Sequence, residues 1–337
     1  MEMKLKNNLY TSSSKIKRNR GIVYIAFEII MVIFIFLVLE YGIGLFLSQP
    51  VVKDNFSPKL RAEDFYNTPK NSLNLIFLGS SHAYRGFNPT IFDKELNLKS
   101  FNMGSSAQAP IEGYYSLKDI LKYQKPKVLV YEIYWRMFEQ DKYFDSKTYV
   151  YDFMKPSLNK VQFFFDAFDR DQYFDAFFLS VRYHNNWQYY VDKKPPQFSA
   201  DYVGKGFANN DSVVSMGTLL WHNEFKTYVH NKYNNKQVEY FNKIIKTCKQ
   251  NNIKLVLVTA PIPPTTLKMV KNYDGIHNYF QSIADKNKLK YVDYNIINQK
   301  NKLVKDTDFK DCDHLNNSGV KKIDKDFIKY IKPLYKK

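Results

Sequence analysis

Two short stretches carry residue types that could do chemistry together. Gly79-Ser80-Ser81-His82 follows the apolar run Leu75–Leu78, and Asp311-Cys312-Asp313-His314 stands far downstream, just before the last helical pattern. A serine hydroxyl is a weak nucleophile until a base takes its proton. An imidazole is that base, and a carboxylate orients the ring and stabilises the imidazolium. A short buried strand ending in glycine and small hydroxyls can present a serine at the carboxyl edge of a parallel sheet. A backbone N–H just past the strand can help to hold an oxyanion there. The three-residue spacing of Asp311 and His314 lets one loop carry both. Asp313 competes for the orienting role, but adjacent side chains in an extended loop diverge, which favours Asp311. Ser80 and Ser81 compete for the role of nucleophile.

The elements that must position these residues follow from periodicity. Strands are expected near 73–78, 98–102, 127–135, 254–259 and 290–294. Helices are expected over 89–96, with Asn88 as cap and Pro89 at the first position, and over 111–122, 236–251 and 274–287. A final helix places Val320, Ile323, Phe327 and Ile331 on one face. Five strands with helices between them predict an α/β fold with a doubly wound, mostly parallel sheet within residues 72–337. Residues 138–235 read as an insertion with helical pieces near 160–168 and 172–183, rich in aromatics such as Phe163-Phe164-Phe165 and Tyr189-Tyr190. Its stretch Arg182–Trp187 suits glycan binding or covering of the site; the plainer reading is a cap whose aromatics are core. Gly204-Lys205-Gly206 lacks the strand–helix context of a nucleotide loop.

Residues 21–47 are apolar over more than the roughly 20 residues that cross a bilayer. Lys15, Lys17, Arg18 and Arg20 precede them, so the positive-inside rule puts residues 1–20 in the cytoplasm and the large domain outside. The run is too long for a cleaved signal peptide and no small-residue cleavage site follows, which favours an uncleaved single-pass anchor in the cell membrane. Glu28 and Glu40 inside it either snorkel to an interface or touch a partner membrane protein. Residues 48–71, with Pro50, Pro58 and Pro69, read as a stalk.

The net charge of +17 lies mostly beyond the apolar run, which favours anionic polymers or headgroups as surroundings. The charge is scattered as single lysines without a nucleic-acid motif, so nucleic acid is not expected as a partner. Two cysteines, Cys248 and Cys312, fit an exported protein without a disulfide framework. Neither has His or Cys at metal spacing, so neither a metal nor a cofactor is expected.

On Gly79-Ser80-Ser81 and Asp311-x-x-His314 the chain resembles the SGNH (GDSL-like) hydrolases over roughly residues 70–335. It resembles most the membrane-anchored forms that take part in O-acylation of cell-surface polymers, such as the teichoic-acid D-alanyl transfer and alginate O-acetylation families. The resemblance implies a flavodoxin-like sheet. It selects Ser81, the second residue after the glycine, as nucleophile, and makes Gly104, after the second strand, an oxyanion donor beside Ser81. His82, Arg85, Trp135, Arg182 and His184 become candidate substrate or wall contacts; His222, His230 and His277 read as surface or insertion residues. The chain departs from the family after the third strand. A Gly-x-Asn-Asp motif is replaced there by Glu132, Tyr134, Trp135 and Arg136, which removes one oxyanion donor. The resemblance implies transfer of an acetyl or D-alanyl group to an envelope polysaccharide or teichoic acid through an acyl-Ser81. It also implies a polytopic membrane-bound O-acyltransferase as partner. The alternatives are a surface esterase or deacetylase with the same triad, and a non-catalytic anchored protein that binds wall polymer.

Overall fold

The computed structural model describes residues 2–48, 58–139, 144–191, 201–221, 224–228, 230 and 232–335, with backbone alone for 2–21 and 189. The expectations for Tyr189 and His222 lie outside the described side chains. Contacts divide the chain into two compact units. One holds the N-terminal 51 residues and 173–197; the other holds 52–172 and 198–337.

The larger unit, the body, is built on five parallel strands: β1 (Leu75–Leu78), β2 (Ser100–Asn102), β3 (Val128–Glu132), β6 (Lys254–Thr259) and β7 (Lys290–Asp293). A separate two-stranded hairpin, β4 (Tyr202–Gly204) and β5 (Phe207–Ala208), makes up the numbering. The parallel order is β2-β1-β3-β6-β7, with Phe77 of β1 opposite Asn102 and Val130. Alternate residues face opposite layers. Ile76, Leu78, Leu129, Tyr131, Leu255 and Leu257 join one core cluster, under helices Pro110–Tyr123, Asn235–Gln250 and Tyr273–Asn287. Leu75, Phe77, Val128, Val130, Val256 and Val258 join the other, under Pro89–Leu96 and Asn317–Ile331. Burial on both faces is why these strands read as unbroken apolar runs. Each large side chain so buried stabilises the fold by about 1.5–3 kcal/mol.

The strand order reverses between β1 and β3. In an open parallel sheet this reversal opens a crevice beyond the carboxyl ends of the two strands.

The expected stalk is corrected beyond residue 57. Pro58–Asn67 is a helix whose Arg61 and Phe65 are buried, with Phe65 in the core beside Phe101. Within the insertion, Phe163 packs face to face on Tyr115 with centroids 4.9 Å apart, so Phe163 and its buried neighbour Phe164 are core, while Phe165 is exposed. Cys248 and Cys312 are not in a disulfide.

The smaller unit contains the helix Glu2–Leu47, whose stretch Ile22–Leu47 is long and apolar enough to cross a membrane. It also contains the short helices Tyr173–Phe177, Leu179–Arg182 and Trp187–Val191. The expected helix over 172–183 is therefore broken at Phe178.

Candidate active site

The site begins where β1 ends. Gly79 has φ +143°, and a Cβ there would fall 2.7 Å from Cβ of Glu132, so glycine is required for the chain to turn against β3. Ser80 then caps the helix Ser81–Gly86, its Oγ accepting the His82 N–H at 3.2 Å. Ser80 also donates its N–H (3.0 Å) and its hydroxyl (2.8 Å) to Oε2 of Glu132. It is buried and fully engaged in holding the turn. Ser81, one residue on, is half-buried and lies 2.7 Å through Oγ from Nε2 of His314. The two adjacent serines thus have different tasks, and the free rotor belongs to Ser81.

His314 arrives on a tight loop. Phe309 and Leu315 pair across it, and Lys310 N–H donates to the His314 carbonyl. Asp311 accepts the backbone N–H groups of Asp313 (3.1 Å) and His314 (2.7 Å). Both Asp311 carboxylate oxygens lie 3.0 Å from His314 Nδ1, and an Asp313 oxygen lies 2.8 Å from the same atom. Sequence reasoning let the adjacent carboxylate diverge; the loop is bent instead, and both acids face the ring. Asp313 is the more buried of the two, and its other oxygen accepts the Tyr134 hydroxyl at 3.1 Å. Arg136 donates to that hydroxyl (3.3 Å) and pairs with Glu224 at 2.7 Å. Of the residues that replace the expected Asn motif, Tyr134 and Arg136 therefore build a support for Asp313.

The electrostatics follow from this crowding. Burial disfavours a charged His314, but the charges of Asp313 and Asp311 outweigh it and raise its pKa to about 9. Burial also opposes ionisation of the two acids, yet His314 holds both below the usual carboxylate range. These are two views of one interaction. His82 is pushed down to about 4 by burial, against the pull of Asp313, so it stays neutral and is the weaker candidate for the base. Its ring packs at a tilt against Tyr134 and stacks on His314, with centroids 4.0 and 4.8 Å away. Burial raises Glu132 to about 7, against the Ser80 bonds that favour its ionised form.

The oxyanion side is sparse. The Ser81 N–H, at the first position of its helix, has no acceptor among the described residues. The Gly104 N–H donates to Oδ1 of Asn102 at 3.0 Å, so an oxyanion would have to compete with that bond. The remaining sequence candidates divide. Arg85 is buried and faces Asp201 at 3.5 Å. Trp135 is a core residue, donating its indole N–H to the Tyr228 hydroxyl, and cannot meet a substrate without unfolding. Arg182 and His184 belong to the smaller unit. His230 pairs with Glu139, and His277 with Asp293. Asp313, the competitor set aside for the orienting role, shares it with Asp311, and Ser80, Glu132, Tyr134 and Arg136 are supports that sequence reasoning did not assign. Their one signal was polar residues at the carboxyl ends of β1 and β3.

Ligand atoms of His82, Asp313 and His314 lie within 4.8 Å of one another, a spacing that a small cation could also use. The His314 nitrogens already face Ser81 and the two carboxylates, so a cation would have to displace one of these contacts.

A protein-family model matches residues 181–335, less than half of the chain. No curated protein sequence matches it. Among solved structures, the chain is similar to a GDSL-like lipase from Bacteroides thetaiotaomicron, at 11% identity over 82% of this chain and 100% of that one, with a TM-score of 0.42. It is also similar to a provisionally named acylhydrolase from Bacteroides fragilis, at 13% identity over 80% of this chain and 95% of the other, with a TM-score of 0.39. A third is a provisionally assigned lipolytic protein of the G-D-S-L family from Desulfitobacterium hafniense, at 9% identity, 78% and 99% coverage and a TM-score of 0.38.

Proposed function

We propose that this chain is a membrane-anchored, extracytoplasmic serine acyltransferase that moves an acyl group, acetyl or D-alanyl, onto a cell-envelope polysaccharide or teichoic acid. The observation that carries the acyl-transfer chemistry is the 2.7 Å approach of Ser81 Oγ to His314 Nε2, with Nδ1 of the same ring against carboxylates. In the first step Oγ attacks the donor carbonyl while its proton passes to Nε2. The Ser81 N–H faces the developing oxyanion, and the leaving group departs with the Nε2 proton. In the second step an acceptor hydroxyl gives its proton to Nε2 and attacks the acyl-Ser81, so the new ester leaves and the serine is restored. Asp311 and Asp313 hold the ring in the required tautomer and stabilise its charged form.

The anchor reading is supported by the apolar stretch Ile22–Leu47 and the basic residues before it. The choice of a wall polymer as acceptor and of a polytopic O-acyltransferase as partner rests on the family resemblance and on the basic body. Water in place of the acceptor hydroxyl would make the same site an esterase. Loss of the family's Asn donor favours, as a further reading, an anchored polymer-binding protein.

The test uses the full chain in detergent micelles with p-nitrophenyl acetate, wild type beside Ser81→Ala, with and without a teichoic-acid or polysaccharide acceptor. Release that vanishes in the variant, an acyl mass on the Ser81 peptide and an acylated acceptor would support transfer. Release indifferent to acceptor would leave the esterase. No Ser81-dependent release, together with retained polymer binding, would replace both with the binding protein.

A further inference from the structure

The smaller unit contains a surface that the proposed chemistry does not use. The stretch Ile22–Leu47 has 26 residues, about 39 Å at about 1.5 Å per residue, whereas the hydrocarbon core is about 30 Å thick. Counted from Ile22, hydrocarbon therefore ends near Tyr41. From Ile22 to Phe46 the side chains are exposed except at Glu40 and Gly44, which are buried. Phe36, Glu40 and Gly44 recur every fourth residue and form one stripe.

Residues 173–191 lie on that stripe. The Phe178 ring packs edge-on against Phe36 at 6.1 Å. The Ser180 N–H donates to a Glu40 carboxylate oxygen at 3.0 Å. Leu179 sits so close over Gly44 that a Cβ there would come within 2.4 Å of its own. Nearer the helix end, Tyr190 stacks on Phe46 at 4.2 Å and donates its hydroxyl to the Phe46 carbonyl, while Asn186 donates to the Leu47 carbonyl. These contacts run from the end of the helix down to Phe36, about 7 Å inside the hydrocarbon boundary reckoned above. What packs on Phe36 shares its depth. The segment also exposes Phe174 (59%), Phe177 (49%), Val181, Trp187 (51%) and Val191 (65%).

We propose that residues 173–191 are a second membrane-embedded element, lying in the outer leaflet beside the spanning helix, with lipid acyl chains covering their exposed aromatic face. The inference rests on the anchor reading above. Continuity with the spanning helix argues for lipid as the occupant, because the segment extends a surface that hydrocarbon already covers. The composition agrees: Trp187 and Tyr190 suit the interface, and Asp175, His184, Asn185 and Gln188 are groups that remain among headgroups. Glu40 then has a partner within its own chain. Its carboxylate satisfies the Ser180 N–H at the hydrocarbon edge, and no second protein is needed to account for it. Because residue 172 and residue 198 both belong to the body, the chain leaves the body for this segment and returns, so the membrane holds the molecule at a second point.

The experiment reconstitutes the full chain in phosphatidylcholine–phosphatidylglycerol vesicles with and without lipids brominated near the headgroup end of the acyl chain. The emission read is that of a tryptophan at position 174 (Phe174→Trp, Trp187→Phe), with Trp187→Phe alone as baseline. The expected result is emission reduced at least twofold by bromolipid beyond the baseline change, and little affected by aqueous iodide. Trp187 in the natural chain should show a smaller reduction. Flotation with the vesicles after alkaline extraction is measured on the same samples. Chains that float but whose position-174 tryptophan responds to iodide and not to bromolipid would overturn the embedded segment while sparing the anchor. Chains that do not float would overturn the anchor and the segment with it.

Discussion

Phe163 and Phe174 stand eleven residues apart in one aromatic-rich insertion, yet their surroundings are opposite. Phe163 is fully buried in the body against Tyr115, whereas Phe174 in the smaller unit is 59% exposed. In the body, the apolar residues of the strands and their covering helices face inward, and polar groups buried at the site are paired, as at Ser80–Glu132 and Asp313–Tyr134. In the smaller unit most large apolar residues face outward, and the buried Glu40 is satisfied locally. One hydrophobic composition is therefore turned inward in the body's core and outward in the smaller unit, and the difference locates where substitutions should be felt. Polar changes should matter in the body, and apolar changes should matter little to folding in the smaller unit.

The largest expected contrast is catalytic. Ser81→Ala should reduce p-nitrophenyl acetate release by about 10⁴-fold or more, as loss of an activated nucleophile does. His184→Ala, a sequence candidate that the structure assigns to the smaller unit, should leave the rate within about twofold. A comparable loss in both would break the division between the units.

Next comes stability. Phe163→Ala should cost about 3–5 kcal/mol, as removal of a buried phenyl ring does, seen as a lowered thermal midpoint in detergent. Phe174→Ala should fall within about 0.5 kcal/mol of wild type, because its ring already faces outward.

The third contrast lies inside the body and concerns pH. Acyl-enzyme formation needs His314 neutral, and its pKa is raised to about 9 by Asp313 and Asp311 against burial. The rate should therefore still be rising between pH 7 and 9, instead of levelling just above the ordinary histidine value of about 6.5. Asp313→Asn removes one of the two charges and should move this limb to lower pH, with a roughly 10- to 100-fold lower plateau from the weakened support of the imidazolium. Asp311→Asn should move it in the same direction. A limb near pH 6.5 in wild type would show that one of the acids is protonated in solution.

The body was far more legible than the smaller unit. β1, β3 and β6 stand out because burial on both faces leaves uninterrupted apolar runs, and helix 89–96 has its Asn88 cap and Pro89 in plain view. Asp311 and His314 could be picked from residue type and spacing, whereas Ser81 was separated from Ser80 only by the family resemblance. The helix Ser81–Gly86 was not foreseen, since six residues are too few to show a period. Nor was the inward turn of Asp313, which depends on Tyr134, 179 residues away in the chain. The break at Phe178 and the docking of 173–191 were hidden for a different reason. Their apolar spacing is the same as that of a buried helix, and only the three-dimensional contact with Phe36, Glu40 and Gly44 distinguishes them.

The smallest expected effect probes how the body tolerates Glu132 at the crevice. Its Oε2 accepts both the N–H and the hydroxyl of Ser80, and Oε1 is buried with no hydrogen bond from the described residues. With a pKa raised to about 7 by burial, this group is half-protonated near neutral pH. Glu132→Gln keeps an acceptor for the Ser80 N–H and never carries the charge, so activity should change by less than about tenfold. Any pH dependence that Glu132 contributes near 7 should disappear in this variant. Glu132→Ala leaves the buried Ser80 N–H without its acceptor, at a cost of about 1–3 kcal/mol, leaves the Ser80 hydroxyl only His82 Nδ1 at 3.3 Å, and loosens the turn that aims Ser81. Its thermal midpoint should fall while Glu132→Gln holds. If both variants lost activity equally with unchanged thermal midpoints, the Glu132 charge itself would be acting on the reaction, and its role as a holder of the turn would be wrong.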